Sequence, residues 1–126
     1  MYKLNIFSNF SAAHKLIDYE GDCANLHGHN WKVRLEIICK KTDSIGLTID
    51  FKILKKKFNK ILAKFDHKNL NELEYFKDKN PTSENIAKLL YRKVLVDFSD
   101  SNCKVNEIEI WESEKYSIIY KPDENN

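Results

Sequence analysis

Hydrophobic and polar residues alternate in two stretches near the N-terminus. Over residues 2–14, Tyr2, Leu4 and Ile6 alternate with polar residues, and the same parity continues to His14. The second stretch alternates hydrophobic with charged residues, and its hydrophobic positions are Trp31, Val33, Leu35 and Ile37. Strict alternation is typical of a strand with one buried face. The pattern therefore predicts two strands in this part of the chain, joined by a loop.

Two helices are predicted in the middle of the chain. Asp50 can cap the first, in which hydrophobic residues recur at helical spacing up to Phe65 and lysines fill most other positions. Because the net charge is small, we interpret the lysine-rich side as a solvated face and not as a binding patch. Thr82 can cap the second helix, with Glu84 in its first turn, and its hydrophobic stripe continues to Phe98. The residues between the two helices show no regular pattern.

Two more strands are predicted towards the C-terminus, over residues 105–112 and 116–120. The resulting order, ββααββ, predicts an α+β fold with a four-stranded antiparallel sheet and two helices packed on one face. The two open edges of such a sheet favour pairing with other chains, so we expect an oligomer. Apart from a polar tail over residues 123–126, no linker or repeat interrupts the chain. Residues 1–126 are therefore predicted to form a single domain.

Composition narrows the classes of function. The chain has 126 residues, and its 21 Lys+Arg against 19 Asp+Glu give a net charge of +2. This balance argues against an electrostatic nucleic-acid binder, and no hydrophobic run approaches the roughly 18 residues of a membrane span. The N-terminus lacks the hydrophobic core of a signal peptide. With an odd number of cysteines (Cys23, Cys39 and Cys103), we expect reduced thiols and a cytoplasmic location.

The segment around His27-Gly28-His29 carries the clearest chemistry. Two histidines at positions i and i+2 of an extended segment project to the same side, about 6.5–7 Å apart, and both can reach one metal ion. His14 ends the first predicted strand and can approach across the sheet as a third ligand. Three histidines without a fourth protein ligand describe a catalytic zinc site with one open position. The alternative is that the two histidines are simply polar residues at the end of a strand.

Cys23 lies four residues before His27. A thiol near zinc and an imidazole has a lowered pKa and is partly thiolate at neutral pH. Cys23 is therefore a candidate for a fourth zinc ligand or for a nucleophile or base, and it can also be simply a small loop residue.

Two further acidic positions are candidates for function. Asp66 and His67 are adjacent after the first helix and can form an acid–base pair, although the residues alone favour a histidine that complements a helix C-terminus. Glu112 falls on the same parity as Ile108 and Ile110, so its carboxylate needs a partner on a hydrophobic strand face. It can pair with the N–C–N edge of a pterin or guanine ring, or form a salt bridge with a lysine.

These motifs together resemble the 6-pyruvoyltetrahydropterin synthase and 6-carboxytetrahydropterin synthase family, which has the tunnelling fold. The matching segments occur in the family's order and cover nearly the whole chain. They are Phe10–Leu16, Cys23-x3-His27-Gly28-His29, Gly46–Phe51, Asp66–Asn71, Pro81–Asn85 and Trp111-Glu112-Ser113.

The resemblance implies a role for each matched residue. His14, His27 and His29 would hold Zn2+, and Cys23 would be the catalytic thiol that moves protons on the substrate side chain. Asp66 and His67 would form the partner acid–base pair. The pterin ring would be anchored by Glu112, with Thr82 near the same pocket. The family's subunits form trimers that stack as hexamers, with the active site between subunits.

The spacing Cys-x3-His-Gly-His resembles the bacterial carboxy-forming branch of queuosine biosynthesis, because the pyruvoyl-forming members carry a longer insertion there. The implied reaction converts 7,8-dihydroneopterin triphosphate to 6-carboxytetrahydropterin, acetaldehyde and triphosphate. The alternatives are a 6-pyruvoyltetrahydropterin synthase and, outside enzymes, a non-catalytic assembly domain stabilised by zinc. A closed site with four ligands would indicate the last of these.

Overall fold

The computed structural model describes residues 1–123, so the last three residues of the polar tail lie outside the described residues. A single sheet is covered on one face by two helices. The strands are β1 (Tyr2–His14), β2 (His27–Cys39), β3 (Lys68–Asn69), β4 (Cys103–Ser113) and β5 (Tyr116–Tyr120), and the helices are α1 (Phe51–Leu62) and α2 (Ser83–Asp97). Short 3-10 turns cover Asp22–Ala24, Leu70–Glu72 and Glu74–Phe76. Over residues 1–123, no helix combines the length and hydropathy needed to cross a bilayer.

The strand order in the sheet is β3-β1-β2-β4-β5. The four long strands pair antiparallel, which confirms the predicted α+β fold with its ββααββ order. The added strand, β3, pairs in parallel with β1 through Ala12 and Ala13. A strand of two polar residues shows no alternation of hydrophobic and polar positions, so β3 could not be predicted from the sequence. Along most of its length, β1 remains the outer strand.

Both predicted helix caps are observed. The Asp50 carboxylate accepts a hydrogen bond from the Lys52 amide at 2.8 Å, and the Thr82 hydroxyl accepts one from the Asn85 amide at 3.1 Å. These bonds satisfy amides that have no partner within the first turn of a helix. α1 ends at Leu62, three residues before Phe65, because tight turns follow it. Phe65 nevertheless packs in the core.

The hydrophobic core lies between the sheet and the two helices. The predicted inward-facing set on β2 is fully buried, and Trp31, Val33 and Ile37 have no exposed surface. The Trp31 ring stacks on Phe10 of β1 at a centroid distance of 6.0 Å. On the other side of the sheet, Arg34 forms ion pairs with β4 carboxylates. The predicted division into a hydrophobic and a charged face is therefore observed.

A bulge in β4 keeps its hydrophobic residues on the core side. Glu36 of β2 pairs with Glu107, but the next residue, Ile37, pairs with Val105, so Asn106 is the extra residue. Without this insertion, Val105 would fall on the same parity as Glu107 and face away from the core. The buried Asn106 amide instead donates a hydrogen bond to the Glu36 carboxylate at 2.5 Å.

The bulge also brings two cysteines face to face. Cys39 and Cys103 are register partners with Cα atoms 4.0 Å apart, and they form a disulfide. The expectation that all three cysteines are reduced is therefore wrong for this pair, and only Cys23 is free. The pairing could not be predicted from the sequence, because the two cysteines are 64 residues apart and meet only when β2 pairs with β4.

We predict that this disulfide contributes about 2–4 kcal/mol to the free energy of unfolding, because it closes a long loop in the unfolded chain. The measurement is denaturant unfolding of the oxidised protein and of the Cys39→Ala/Cys103→Ala variant. Cys23→Ala is the matched control, and its free energy of unfolding should still fall when a reductant breaks the disulfide. Titration of three free thiols in the denatured, unreduced protein would contradict the prediction.

Candidate active site

The register of β1 and β2 brings three histidines together. His14 is the direct partner of His27, and His29 lies two residues further along the same face of β2. The imidazole centroid of His14 lies 4.6 Å from that of His27 and 5.2 Å from that of His29, and the His27 and His29 centroids are 4.7 Å apart. Trp31 contacts His14 and His29 edge-on and separates the cluster from the core. The structure thus assembles the predicted histidine set.

Backbone carbonyls orient two of the rings. His14 Nδ1 lies 2.7 Å from the carbonyl oxygen of Pro81, and His27 Nδ1 lies 2.7 Å from that of Asn25. Because a carbonyl only accepts, each Nδ1 carries the proton and donates it. The Nε2 atoms are then left with free lone pairs, which is how second-shell bonds prepare histidines for a metal ion.

The unsatisfied atoms of the cluster also fit a metal ion. The Nε2 atoms of His14 and His29 are buried and have no well-aligned hydrogen-bond partner, and His14 is only 2% exposed. Buried polar atoms without a partner are costly and rare in folded proteins. A metal ion bound by the three Nε2 atoms would satisfy them, so the donor set has the chemistry of a zinc site.

Glu112 is the fourth member of the cluster. Its Oε1 lies 3.3 Å from His14 Nε2 and 3.0 Å from His29 Nε2, and the ligand atoms of all four side chains lie within 4.8 Å of one another. Among residues 1–123, the ion-pair contacts of Glu112 are with these two histidines and not with a lysine. The parity of β4 correctly placed this carboxylate on the histidine side of the sheet. Its contact with the histidines depends on the pairing of β4 with β2, which parity alone does not specify.

Burial lowers the pKa of His29 below its ordinary value. The nearby charges of His14 and His27 act in the same direction, whereas Glu112 raises the pKa and only partly offsets the burial. A lowered pKa keeps the His29 imidazole neutral at neutral pH, so its contact with Glu112 is not a pair of full charges. The neutral imidazole is also the form that binds a metal ion.

Cys23 lies in the 3-10 turn Asp22–Ala24 and is half-buried. It is not among the four side chains whose ligand atoms converge. Its carbonyl oxygen accepts a hydrogen bond from the Leu16 amide at 2.8 Å, so its backbone is tied to the chain just after β1. The Cys23 thiol therefore lies outside the group of side chains whose ligand atoms converge.

Asp66 and His67 form a pair at the outer edge of β1. Asp66 Oδ2 lies 3.1 Å from His67 Nδ1, and Asp66 Oδ1 accepts the Ser11 amide at 2.8 Å. The bond from Ser11 lowers the pKa of the Asp66 carboxyl, and the neighbouring His67 lowers it further. His67 has a left-handed backbone (φ 59°) and a largely exposed ring. The pair thus faces solvent at a sheet edge.

The segment before α2 adds two contacts that the sequence did not reveal. The Pro81 carbonyl accepts a hydrogen bond from His14 Nδ1, and the Ser83 hydroxyl lies 3.4 Å from Glu112 Oε2. Thr82, between them, uses its side chain to cap α2. Thr82 therefore borders the site, as expected, while its neighbours make the direct contacts. The sequence signals for this segment were the helix cap at Thr82 and the match of Pro81–Asn85 to the family motif.

Residues 3–123 match the family model described as 6-pyruvoyl tetrahydropterin synthase. The chain belongs to this family. The match spans both the histidine cluster and Glu112, so the family resemblance expected from the short motifs is confirmed. The tunnelling fold expected from that resemblance is confirmed by the solved structures of family members.

Relatives of the chain carry the names of several pterin enzymes. The chain is 35% identical to a putative 6-carboxy-5,6,7,8-tetrahydropterin synthase of Archaeoglobus fulgidus over 88% of each chain. It is 32% identical to the 6-carboxy-5,6,7,8-tetrahydropterin synthase of Rickettsia typhi over 84% of this chain and 90% of that one. The solved 6-pyruvoyl tetrahydropterin synthase of Caenorhabditis elegans superposes with a TM-score of 0.87 at 29% identity, over 97% of this chain and 96% of that one.

We predict that the protein binds one zinc ion per chain at the histidine cluster. Replacing His14 or His29 with Ala should weaken zinc binding by at least about a hundredfold, because loss of a direct ligand costs more than loss of a second-shell bond. Isothermal titration with zinc measures this change. His67→Ala is the matched control and should keep its zinc, because His67 lies outside the cluster. Unchanged affinity in His14→Ala would contradict the prediction.

Proposed function

We propose that the protein is a zinc-dependent 6-carboxy-5,6,7,8-tetrahydropterin synthase of queuosine biosynthesis. It would convert 7,8-dihydroneopterin triphosphate and one water to 6-carboxytetrahydropterin, acetaldehyde and triphosphate. The observation that carries the proposal is the convergence of His14, His27 and His29, in which the buried Nε2 atoms of His14 and His29 have no well-aligned hydrogen-bond partner. The Cys-x3-His-Gly-His spacing and the carboxy-forming names of two relatives favour this branch of the family.

In this proposal, His14, His27 and His29 hold the zinc ion. Bound zinc would supply a Lewis acid that polarises the hydroxyl oxygens of the substrate side chain and acidifies the adjacent C–H bonds. The protein's part is to keep the three imidazoles neutral and aligned, which the carbonyls of Pro81 and Asn25 support for two of them.

Proton transfer is the proposed task of Cys23. Its half-buried free thiol can take a proton from a side-chain carbon of the substrate and return it to another position. The dihydropterin ring is reduced at the expense of its own side chain, so the reaction needs no nicotinamide.

Asp66 and His67 would complete the proton relay. Asp66 orients the imidazole through Nδ1 and leaves the His67 Nε2 free to exchange protons. Because the pair faces outward from the edge of β1, we propose that it serves the active site of a neighbouring subunit. A homohexamer, formed as a dimer of trimers, would provide that arrangement.

Glu112 is the proposed anchor of the pterin ring. A carboxylate offers two acceptor oxygens that match the two parallel N–H donors of the ring's N–C–N edge. Its Oε2 is held at 3.4 Å from the Ser83 hydroxyl, and Thr82 borders the same pocket. Binding of the substrate would have to draw Glu112 away from the histidines.

Two other functions have specific support. The similarity to the Caenorhabditis elegans structure favours a 6-pyruvoyltetrahydropterin synthase, which shares the site and differs in its product. The contacts of Glu112 with His14 and His29 favour a zinc-stabilised assembly domain, because a carboxylate as fourth ligand would close the site.

We further propose that the protein acts in the cytoplasm. The disulfide between Cys39 and Cys103 then has to persist in a reducing compartment, where disulfides are rare. Both cysteines are at most 5% exposed, which limits access to thiol reductants.

The central prediction is that the zinc-loaded protein releases 6-carboxytetrahydropterin and acetaldehyde from 7,8-dihydroneopterin triphosphate, as identified by mass spectrometry. Cys23→Ala should abolish turnover because the proton carrier is lost, while its zinc content stays unchanged. A 6-pyruvoyl product would support the pyruvoyl-forming alternative. Loss of zinc from Cys23→Ala would make this residue a ligand and reject its role as the base.

A separate prediction concerns Glu112. Glu112→Gln should weaken binding of a pterin by roughly tenfold or more, because the amide replaces a charged acceptor with a donor. Zinc affinity should change little. Both affinities are measured by calorimetry on the same protein. If zinc affinity falls and pterin binding does not, Glu112 is a metal ligand and the closed-site alternative gains support.

A further inference from the structure

Two asparagine side chains hold the chain directly after β1. The Asn71 Oδ1 accepts the Lys15 amide at 2.9 Å, and its Nδ2 donates to the Lys15 carbonyl at 3.0 Å. Asn80 makes the same pair of bonds with Ile17, both at 2.8 Å. Each amide thus satisfies both backbone groups of one residue, as a neighbouring strand would.

These bonds continue the hydrogen bonding along the edge of β1. Ser11 of β1 already donates to Asp66 and accepts the His67 amide through its backbone. Lys15 and Ile17 have the same parity as Ser11 and face the same edge. Side-chain amides therefore replace a strand beyond the point where β3 ends, up to the turn at Ile17 and Asp18.

The clamped segment in turn holds Cys23. Between the two clamped residues, the Leu16 amide points the other way and donates to the Cys23 carbonyl at 2.8 Å. Packing contributes little to the rest of this loop, because Ile17 is 57% exposed and Tyr19 is 52% exposed. The backbone bonds are thus the main restraint that the structure places on the cysteine turn.

Both asparagines are themselves fixed. The backbone N–H of Asn71 donates a hydrogen bond to the side-chain oxygen of Asn69, next to β1. The Asn80 carbonyl accepts from the side chain of Asn85, a residue in the first turn of α2. The restraint on Cys23 therefore connects to the sheet edge and to the helix that carries Thr82.

We infer that Asn71 and Asn80 are positioning residues that set the place of the Cys23 thiol relative to the histidine cluster. The inference of a catalytic effect rests on the proposed function, in which Cys23 moves protons. The clamp itself does not rest on that function, since its effect on the loop can be measured without substrate.

The test uses the full-length protein and the variants Asn71→Ala and Asn80→Ala, with Asn71→Asp and Asn80→Asp as milder changes that keep the acceptor. We expect the Leu16 amide to exchange hydrogen at least about tenfold faster and Cys23 to be alkylated severalfold faster by iodoacetamide, as mapped on peptides. In the active enzyme, kcat should fall by about tenfold to a hundredfold while KM stays within about twofold, because only the thiol is misplaced. The aspartate variants should lie between the alanine variants and the native protein.

Asn102 provides a matched control at the other end of the sheet. It makes the same pair of bonds with Lys41, accepting its amide at 3.1 Å and donating to its carbonyl at 2.7 Å. Asn102→Ala removes equivalent bonds, so it should leave Leu16 exchange, Cys23 alkylation, zinc content and kcat unchanged.

The outcomes separate the two hypotheses. Native Leu16 exchange and native Cys23 alkylation in both alanine variants would overturn the clamp, whatever the activity. Faster exchange and alkylation with an unchanged kcat would overturn the positioning role. If the native protein never turns over the pterin triphosphate but the variants still loosen the loop, the proposed function fails while the clamp stands.

Discussion

The antiparallel pairing of β1 with β2 determines where the three histidines of the candidate site lie. It aligns 13 residues of each strand and sets His14 directly opposite His27. Because side chains repeat every two residues along a strand, the same register places His29 beside them. A shift of one residue would turn the histidines to the opposite face of the sheet. The metal-ligand cluster is thus a property of strand pairing, and it does not depend on the conformation of a loop.

The neighbouring elements complete what this pairing begins. β4 contributes Glu112, and the segment before α2 contributes the carbonyl that orients His14. Trp31 closes the inner side of the cluster, so the ligands lie at the boundary between the core and the open end of the sheet. In such partly buried surroundings, a charged imidazole loses hydration, and the lowered pKa of His29 is one result. The candidate site is therefore bordered by the hydrophobic core on the side of Trp31.

Most of the fold could be predicted from the sequence because its periodicities are regular. Alternation located the four long strands, and the caps Asp50 and Thr82 marked the two helix starts. The same alternation placed Glu112 on the histidine side of the sheet. What escaped prediction depends on which strands pair and in which register. The disulfide between Cys39 and Cys103, and the contact of Glu112 with the histidines, both join strands that are distant in sequence.

The two ends of β2 carry different groups, candidate metal ligands at one end and a disulfide at the other, and this bears on how the sheet selects its register during folding. A slip of two residues keeps every hydrophobic residue on its correct face, so burial alone discriminates poorly against it. Such a slip between β1 and β2 would separate His14 from His27, and one between β2 and β4 would separate Cys39 from Cys103. A metal ion at one end and the disulfide at the other would therefore each stabilise the native register relative to misaligned pairings that the hydrophobic pattern tolerates.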